Sequence, residues 1–262
     1  MTRPVFEELE ECLRRGEPVA LATVIEGQKQ GAKLLYRPGR ELLGGLGDGD
    51  LDRVVARDLA GELAAGITGM RHYGPHGEAG QQEVAVFIES FAPPPRMLIF
   101  GAVDFTAALV RAAKVLGYDV TVCDARQVFA TAQRFPEADR VVADWPHHLL
   151  EREGGELGSR DAVCVLTHDH KFDVPAIVTA LRTDVGYIGV MGSRRTHAAR
   201  VEKLREEGVC DEDLARVMAP IGLDIGARTP EETAVSIVAE IIALRTGRSA
   251  PSLRDAQGPI HS

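Results

Sequence analysis

Four short stretches of this chain combine residue types and spacings that could do chemistry. The first is LTHDHKFD, residues 166–173, where His168, His170 and Asp173 fall close together. Two histidines one residue apart, with a carboxylate behind them, form a spacing that can hold zinc. Against a metal, Lys171 sets a cation beside the would-be ligands and no third histidine lies nearby. Asp173, ahead of Val174-Pro175, reads better as a helix N-cap. The sequence therefore assigns no metal ligands, and leaves His168 and Asp169 as ligand-facing polar groups or parts of a structural turn. The second stretch is Gly101-Ala102-Val103-Asp104, at the end of an apolar run. A dinucleotide loop would carry a glycine where Val103 stands, so that backbone could meet pyrophosphate. The third is Asp124 with Arg126, an acid about 20 residues on, where a ribose-binding carboxylate belongs in such a loop system. The fourth is Gly192-Ser193-Arg194-Arg195, just before a predicted helix. Helix N–H donors and arginine forks there would suit an anion.

These residues need elements to hold them. MLIFGAV (97–103), DVTVCDA (119–125), RVVAD (140–144), AVCVLT (162–167) and YIGVMG (187–192) read as strands that are apolar throughout. Helical spacing fills 104–117, 174–182 and 196–207. Apolar strands alternating with helices predict a doubly wound, Rossmann-like parallel sheet covered on both faces, over residues 97–247. Ligands bind at the carboxyl ends of such strands, which is where Gly101, Asp124, Arg126, His168, Asp169, Gly192, Ser193, Arg194 and Arg195 fall. A last helix is announced by Thr229 as N-cap, Pro230 in its first turn and Glu232 completing a capping box. Its wide apolar face, Val235, Ile237, Val238, Ile241, Ile242 and Leu244, predicts a homodimer. Residues 218–226, apolar and glycine-rich without a period, predict a packed loop crossing the rim.

Residues 1–92 predict a small α+β module: a helix through Val5, Leu9 and Cys12, a strand PVALATVIE, a hairpin turning at Pro38-Gly39, a helix over 50–66 and a strand EVAVFIESF. Three prolines in FAPPPRM (91–97) mark the linker. Residues 248–262 form a polar tail, expected to be disordered or to dock on a partner.

Composition narrows the function classes. A net charge of −9 argues against nucleic-acid or anionic-membrane partners. No apolar run approaches the ~20 residues of a membrane helix, and the N-terminus lacks a signal-peptide pattern. Cys12, Cys123, Cys164 and Cys210 form no C-x-x-C pair, so neither a zinc ribbon nor a dithiol centre is written. A cytoplasmic protein with reduced thiols is the expectation.

Several segments, VTVCDAR, RFPEAD, VLTHDHKFD, YIGVMGSRR and APIGLDIGARTPEETAVSIVAEI, together resemble the xanthine dehydrogenase accessory proteins of the XdhC/CoxI family. The resemblance implies a two-part protein with a C-terminal Rossmann domain. It implies a chaperone, rather than a self-sufficient catalyst, that binds the molybdenum cofactor (molybdopterin), assists its sulfuration and helps insert it into a molybdenum hydroxylase of the xanthine or carbon monoxide dehydrogenase type. On that expectation Asp124 holds a ribose or pterin edge, Arg126, Arg194 and Arg195 neutralise phosphate, and His168 and Asp169 bond heteroatoms. Three departures stand out. Glu26 to Gln30 replace the family's Gly-Ser-x-Pro-Arg stretch, Leu46 replaces the cysteine of Gly-Gly-Cys, and Val103-Asp104 replace Gly-His in the first Rossmann turn. An NAD(P)-dependent oxidoreductase of the Rossmann type is the alternative, and an interaction module that only docks on a hydroxylase is a third reading.

Overall fold

The computed structural model describes residues 3–255. Contacts divide the chain into two compact units, Met1–Pro93 and Pro94–Ser262.

The first unit comprises α1 (Arg3–Arg15), β1 (Val19–Glu26), β2 (Lys33–Tyr36), β3 (Leu43–Gly45), α2 (Gly49–Ala65), β4 (Gly69–Tyr73) and β5 (Val84–Phe91). The five strands form one antiparallel sheet in the order β3-β2-β1-β5-β4. Successive side chains of a strand point to opposite faces. Val19 and Leu21 of β1 therefore pack with Val5 and Cys12 of α1, while Ala20, Ala22 and Val24 pack with Leu51, Val55 and Leu59 of α2. The β2–β3 hairpin pairs Leu35 with Leu43 and turns through Gly39 at φ +70°.

The second unit comprises β6 (Arg96–Phe100), α3 (Asp104–Val115), β7 (Asp119–Cys123), β8 (Arg140–Val142), α4 (Pro146–Glu153), β9 (Ala162–Val165), α5 (His170–Leu181), β10 (Tyr187–Val190), α6 (Arg194–Glu206), α7 (Asp211–Leu214), β11 (Val217–Met218) and α8 (Pro230–Arg245). All six strands are parallel, in the order β11-β10-β9-β6-β7-β8. The order in which the chain fills the sheet reverses between β6 and β9, which is the switch point where this architecture opens its crevice. Met97 and Ile99 of β6 pack with Leu109 of α3 and Ile237 and Ile241 of α8; Leu98 and Phe100 pack with Leu149 of α4 and Ile177 of α5. Burial on both faces is why residues 97–100, β9 and β10 carry no charged side chain, whereas β7 and β8 open on the exposed Asp119 and Arg140.

The α8 start matches its sequence signals: the Thr229 hydroxyl accepts the Glu232 N–H at 3.2 Å and the Glu232 carboxylate accepts the Thr229 N–H at 3.0 Å. Ile237 and Ile241 are buried, whereas Val235, Ile242 and Leu244 are exposed. Residues 256–262 of the polar tail lie outside the described residues. Among those described, no helix is long and apolar enough to cross a membrane.

Candidate functional site

The carboxyl ends of β10, β9, β6 and β7 stand side by side and carry, in that order, Gly192 to Arg195, His168 with Asp169, Gly101, and Asp124 with Arg126. With about 4.8 Å between neighbouring strands, the two outer groups are about 15 Å apart. They share one rim and form two separate clusters on it.

At the β9 end the sequence expectation needs correcting. Helix α5 starts at His170, not at 174, and its cap is Asp169, whose carboxylate accepts the Lys171 N–H at 3.1 Å. Asp173 lies inside the helix, fully buried, where it accepts the Thr167 hydroxyl and the Arg200 guanidinium, the latter at 2.9 Å. This start leaves Pro175 within the helix, at the cost of one backbone bond. It gains a cap and a buried ion pair in return. His168 and Asp169 remain exposed at the β9 end of the rim. Among the described residues no three His, Cys, Asp or Glu side chains gather as a metal-holding group.

Arg200 was not singled out by its sequence position. It is fully buried, and besides Asp173 its Nη2 donates to the Met191 carbonyl at 3.1 Å, so it ties the β10–α6 turn to α5. Its Nε and Nη1 have no partner among the described residues. The available signal was its i,i+4 register with the buried Leu204 on α6. Burial pushes the Asp173 carboxyl above its ordinary range, against the Thr167 bond and the Arg200 charge. One turn before Arg200, His197 is held below the usual imidazole value by burial and by that same guanidinium.

At the β6 end, Gly101 adopts φ +114°, and a Cβ there would sit 2.8 Å from Thr167 Cγ2 and 3.1 Å from Thr167 N. Only glycine lets the ends of β6 and β9 approach this closely. The donors of the turn are already in use. Gly101 N–H bonds the Cys123 carbonyl at 2.9 Å, Ala102 N–H the Asp124 carboxylate at 2.7 Å, and Val103 N–H the Thr106 hydroxyl at 3.3 Å. These three N–H groups are the ones a dinucleotide loop would aim at pyrophosphate; the first N–H groups of α3, like those of any helix, still need acceptors from outside it.

Asp124 is only 2% exposed, and its two oxygens also accept the Arg126 N–H at 2.9 Å, Nε at 2.9 Å and Nη2 at 2.8 Å. Burial alone would raise this carboxyl; the Arg126 fork and the two backbone donors outweigh it and hold the group below the ordinary range. Arg126 in turn lies 4.6 Å over the Phe129 ring. Arg134 reaches the same ring at 5.5 Å and donates to the carbonyls of Ala102 at 3.1 Å and Phe129 at 3.2 Å. Phe129 and Arg134 were not among the expected site residues; cations interleaved with aromatics from 126 to 135 were the signal present.

At the β10 end, α6 starts two residues earlier than its periodicity predicts. Ser193 is the cap, accepting the Thr196 N–H at 3.1 Å, and Arg194 and Arg195 form the first turn. That turn holds no acid. Cations oppose the helix dipole at an N-terminus, and the first N–H groups of a helix need acceptors from outside it. Here two guanidinium groups and orphan donors face an open cleft of 650 Å³, lined by Ser193, Arg194, Arg195, Gly222, Asp224 and Ser236 among others. The loop after β11 forms its wall. Ile221 N–H bonds the Val190 carbonyl at 3.1 Å, Gly222 N–H bonds the Glu240 carboxylate at 2.9 Å, and the Ser236 hydroxyl donates to the Leu223 carbonyl. The same Glu240 carboxylate accepts the Tyr187 hydroxyl of β10 at 2.6 Å. The expectation of a packed loop needs correcting: Ile221, Gly222 and Leu223 are half-buried, Pro220 and 224–226 are exposed, and Val217–Met218 pairs with β10 as a short strand.

Residues 97–241 match the family described as the XdhC Rossmann domain, and residues 12–74 match the XdhC and CoxI family. A Bacillus subtilis (strain 168) protein, named as one of the probable subunits of xanthine dehydrogenase, is 34% identical over 63% of this chain and 47% of its own length. The molybdenum cofactor insertion chaperone PaoD of Escherichia coli (strain K12) is 28% identical over 61% of this chain and 43% of its own. The chain thus spans about half the length of the curated relatives it matches. A crystal structure of a xanthine dehydrogenase from Bacillus halodurans shares the fold, with a TM-score of 0.55 at 22% identity, covering 94% of this chain and 97% of that one.

Proposed function

The chain belongs to the XdhC and CoxI family, and from that premise we propose that it is an accessory factor for the maturation of a molybdenum hydroxylase of the xanthine or carbon monoxide dehydrogenase type. In this reading it holds the molybdenum cofactor, or a nucleotide form of it, at the strand-end rim and hands it on. The names of two relatives, one a molybdenum cofactor insertion chaperone and the other a probable xanthine dehydrogenase subunit, support the role.

The observation that carries the binding reading is the α6 start. Its Arg194, Arg195 and first-turn N–H groups face a cleft, while the Gly101, Ala102 and Val103 N–H groups of the β6–α3 turn are bonded within the protein. A phosphate of the cofactor would therefore seat on α6. This also weakens the oxidoreductase alternative, which needs pyrophosphate on the β6–α3 turn. Sulfur is to be supplied by another component. Leu46, at the position of the family cysteine, is 2% exposed, and its N–H is bonded to Asp52 at 2.6 Å. The chain's own part is to bind, shield and release.

Cofactor freshly released from a hydroxylase and mixed anaerobically with the purified chain tests the reading. An Arg194→Ala/Arg195→Ala variant should bind at least about tenfold more weakly, since charge-assisted bonds contribute about 1.5–3 kcal/mol each. Unchanged affinity in that variant would remove the assignment.

A further inference from the structure

The cleft in front of α6 is larger than the phosphate that would seat there. At 650 Å³ it has the size of a site for a whole small ligand. What the rest of that ligand must carry follows from the polar groups left free in the wall. The hydroxyls are engaged: Ser193 with Thr196 at 2.9 Å, Thr233 on the Thr229 carbonyl at 2.9 Å, and Ser236 on the Leu223 carbonyl. So are the N–H groups of Ile221, Gly222, Leu223 and Ile225. Three exposed charged side chains line the cleft, Arg194, Arg195 and Asp224, and among the described residues none of them has a hydrogen-bonding or ionic partner.

An arginine can only donate, and an ionised carboxylate can only accept. Toward a bare phosphate Asp224 is a disadvantage, because a like charge in the same cleft opposes the anion. The three groups together suit a ligand with an acceptor end and a donor end. The loop that carries Asp224 is anchored beforehand: Gly222 turns at φ +94°, and its N–H is held by Glu240 at 2.9 Å. Ile221, Leu223 and Ile225 give the wall an aliphatic surface, which suits the face of a planar ring. A carboxylate with both oxygens free matches two parallel N–H bonds, as it does in a guanidinium fork. Among heterocycles the same pair of donors is the amino–imino edge of a 2-amino-4-oxopyrimidine ring, which guanine and pterin share.

We infer that Asp224 is the specificity-determining residue of the α6 cleft, reading the amino–imino edge of a guanine-type or pterin-type ring whose anionic end Arg194 and Arg195 hold. The inference rests on the proposed function for the anion seat on α6, and adds what the far end of the ligand must carry.

Calorimetric titration of the full chain with two pairs of probes tests it. Guanosine 5′-monophosphate and inosine 5′-monophosphate differ only in the 2-amino group; pterin-6-carboxylate and lumazine-6-carboxylate differ only at the same ring position. In at least one pair the amino compound should bind about tenfold or more tighter, a ratio corresponding to one charge-assisted bond. The pair with the larger ratio identifies the ring. Asp224→Ala, at an exposed side chain, should erase the preference, leave the melting temperature near that of the parent, and bind inorganic phosphate no more weakly than the parent does. Arg194→Ala/Arg195→Ala should weaken both members of a pair alike. Ratios near one in both pairs, no binding of any probe, or a preference that survives Asp224→Ala overturns the inference. Released cofactor that binds through Arg194 and Arg195, with both ratios near one, would remove the role of Asp224 and leave the proposed function standing. An amino-group preference lost in Asp224→Ala, with released cofactor not bound, would do the reverse.

Discussion

Replacing Arg200 with methionine should destabilise the second unit more than other single changes on its surface-facing helices, and the loss should grow as pH rises. The side chain is fully buried and is the counter-charge of Asp173, which is also fully buried and keeps only the Thr167 hydroxyl once Arg200 is gone. Removing one partner of a buried pair typically costs about 3–5 kcal/mol, because the remaining charge is uncompensated. For a unit of this size that corresponds to a fall on the order of 10 °C in melting temperature. The pH dependence has a definite sign. Burial already raises the folded-state pKa of Asp173 above the usual carboxylate range, and Arg200 is one of the groups opposing that rise. Without Arg200 the carboxyl moves further up. A group raised on folding contributes stability below its unfolded pKa and loses it as pH climbs through the folded value. The Arg200→Met deficit should therefore be smaller at pH 5 than at pH 8. Asp173→Asn in the same background removes the charge that needs a partner and should recover much of the loss. Urea unfolding of parent, single and double variants at both pH values measures this. A single variant within about 1 kcal/mol of the parent at pH 8, or a double variant no more stable than the single, would refute the reasoning.

Three further outcomes are expected. Gly101→Ala should lower stability by about 1–3 kcal/mol, since φ +114° is strained for alanine and its Cβ would press on Thr167, whereas Gly192→Ala, strained too at φ +148°, meets its nearest neighbour at 3.5 Å and should cost less; urea midpoints compare them. Asp124 is held below its ordinary pKa, so its contribution is present above the unfolded value and lost as pH falls through the folded one; Asp124→Asn should be less stable than the parent at neutral pH and show a shallower acid transition between pH 5 and 2, followed by circular dichroism. Native alkylation should label the exposed Cys210 first, while the buried Cys12, Cys123 and Cys164 react only after denaturation, the Cys123 thiol being pushed to about 12 by burial; intact-mass spectrometry counts the adducts.

The parallel sheet was readable from sequence because its central strands are buried on both faces and so are apolar, as in Leu98 to Phe100 and Val163 to Val165. Strand β4 was not readable. It is an edge strand whose Met70, Arg71 and His72 are all exposed, so burial leaves no period in it. The α5 start was misplaced for a different reason. Asp169 and Asp173 are both good caps by type, and what decides between them is Arg200, 27 residues away in the chain, whose buried position no local pattern displays. The Asp124 position was visible from its spacing. That its oxygens are filled by Ala102 and Arg126 depends on turn geometry, which spacing does not carry.

Glu240 reaches from α8 to both the Gly222 N–H and the Tyr187 hydroxyl, so a single carboxylate rivets the side of the α6 cleft to helix and sheet together. A flank secured at two points has little freedom to fold over a guest. On the proposed reading, a ligand against α6 would keep one side open to water, from which a recipient could lift it without waiting for a gate.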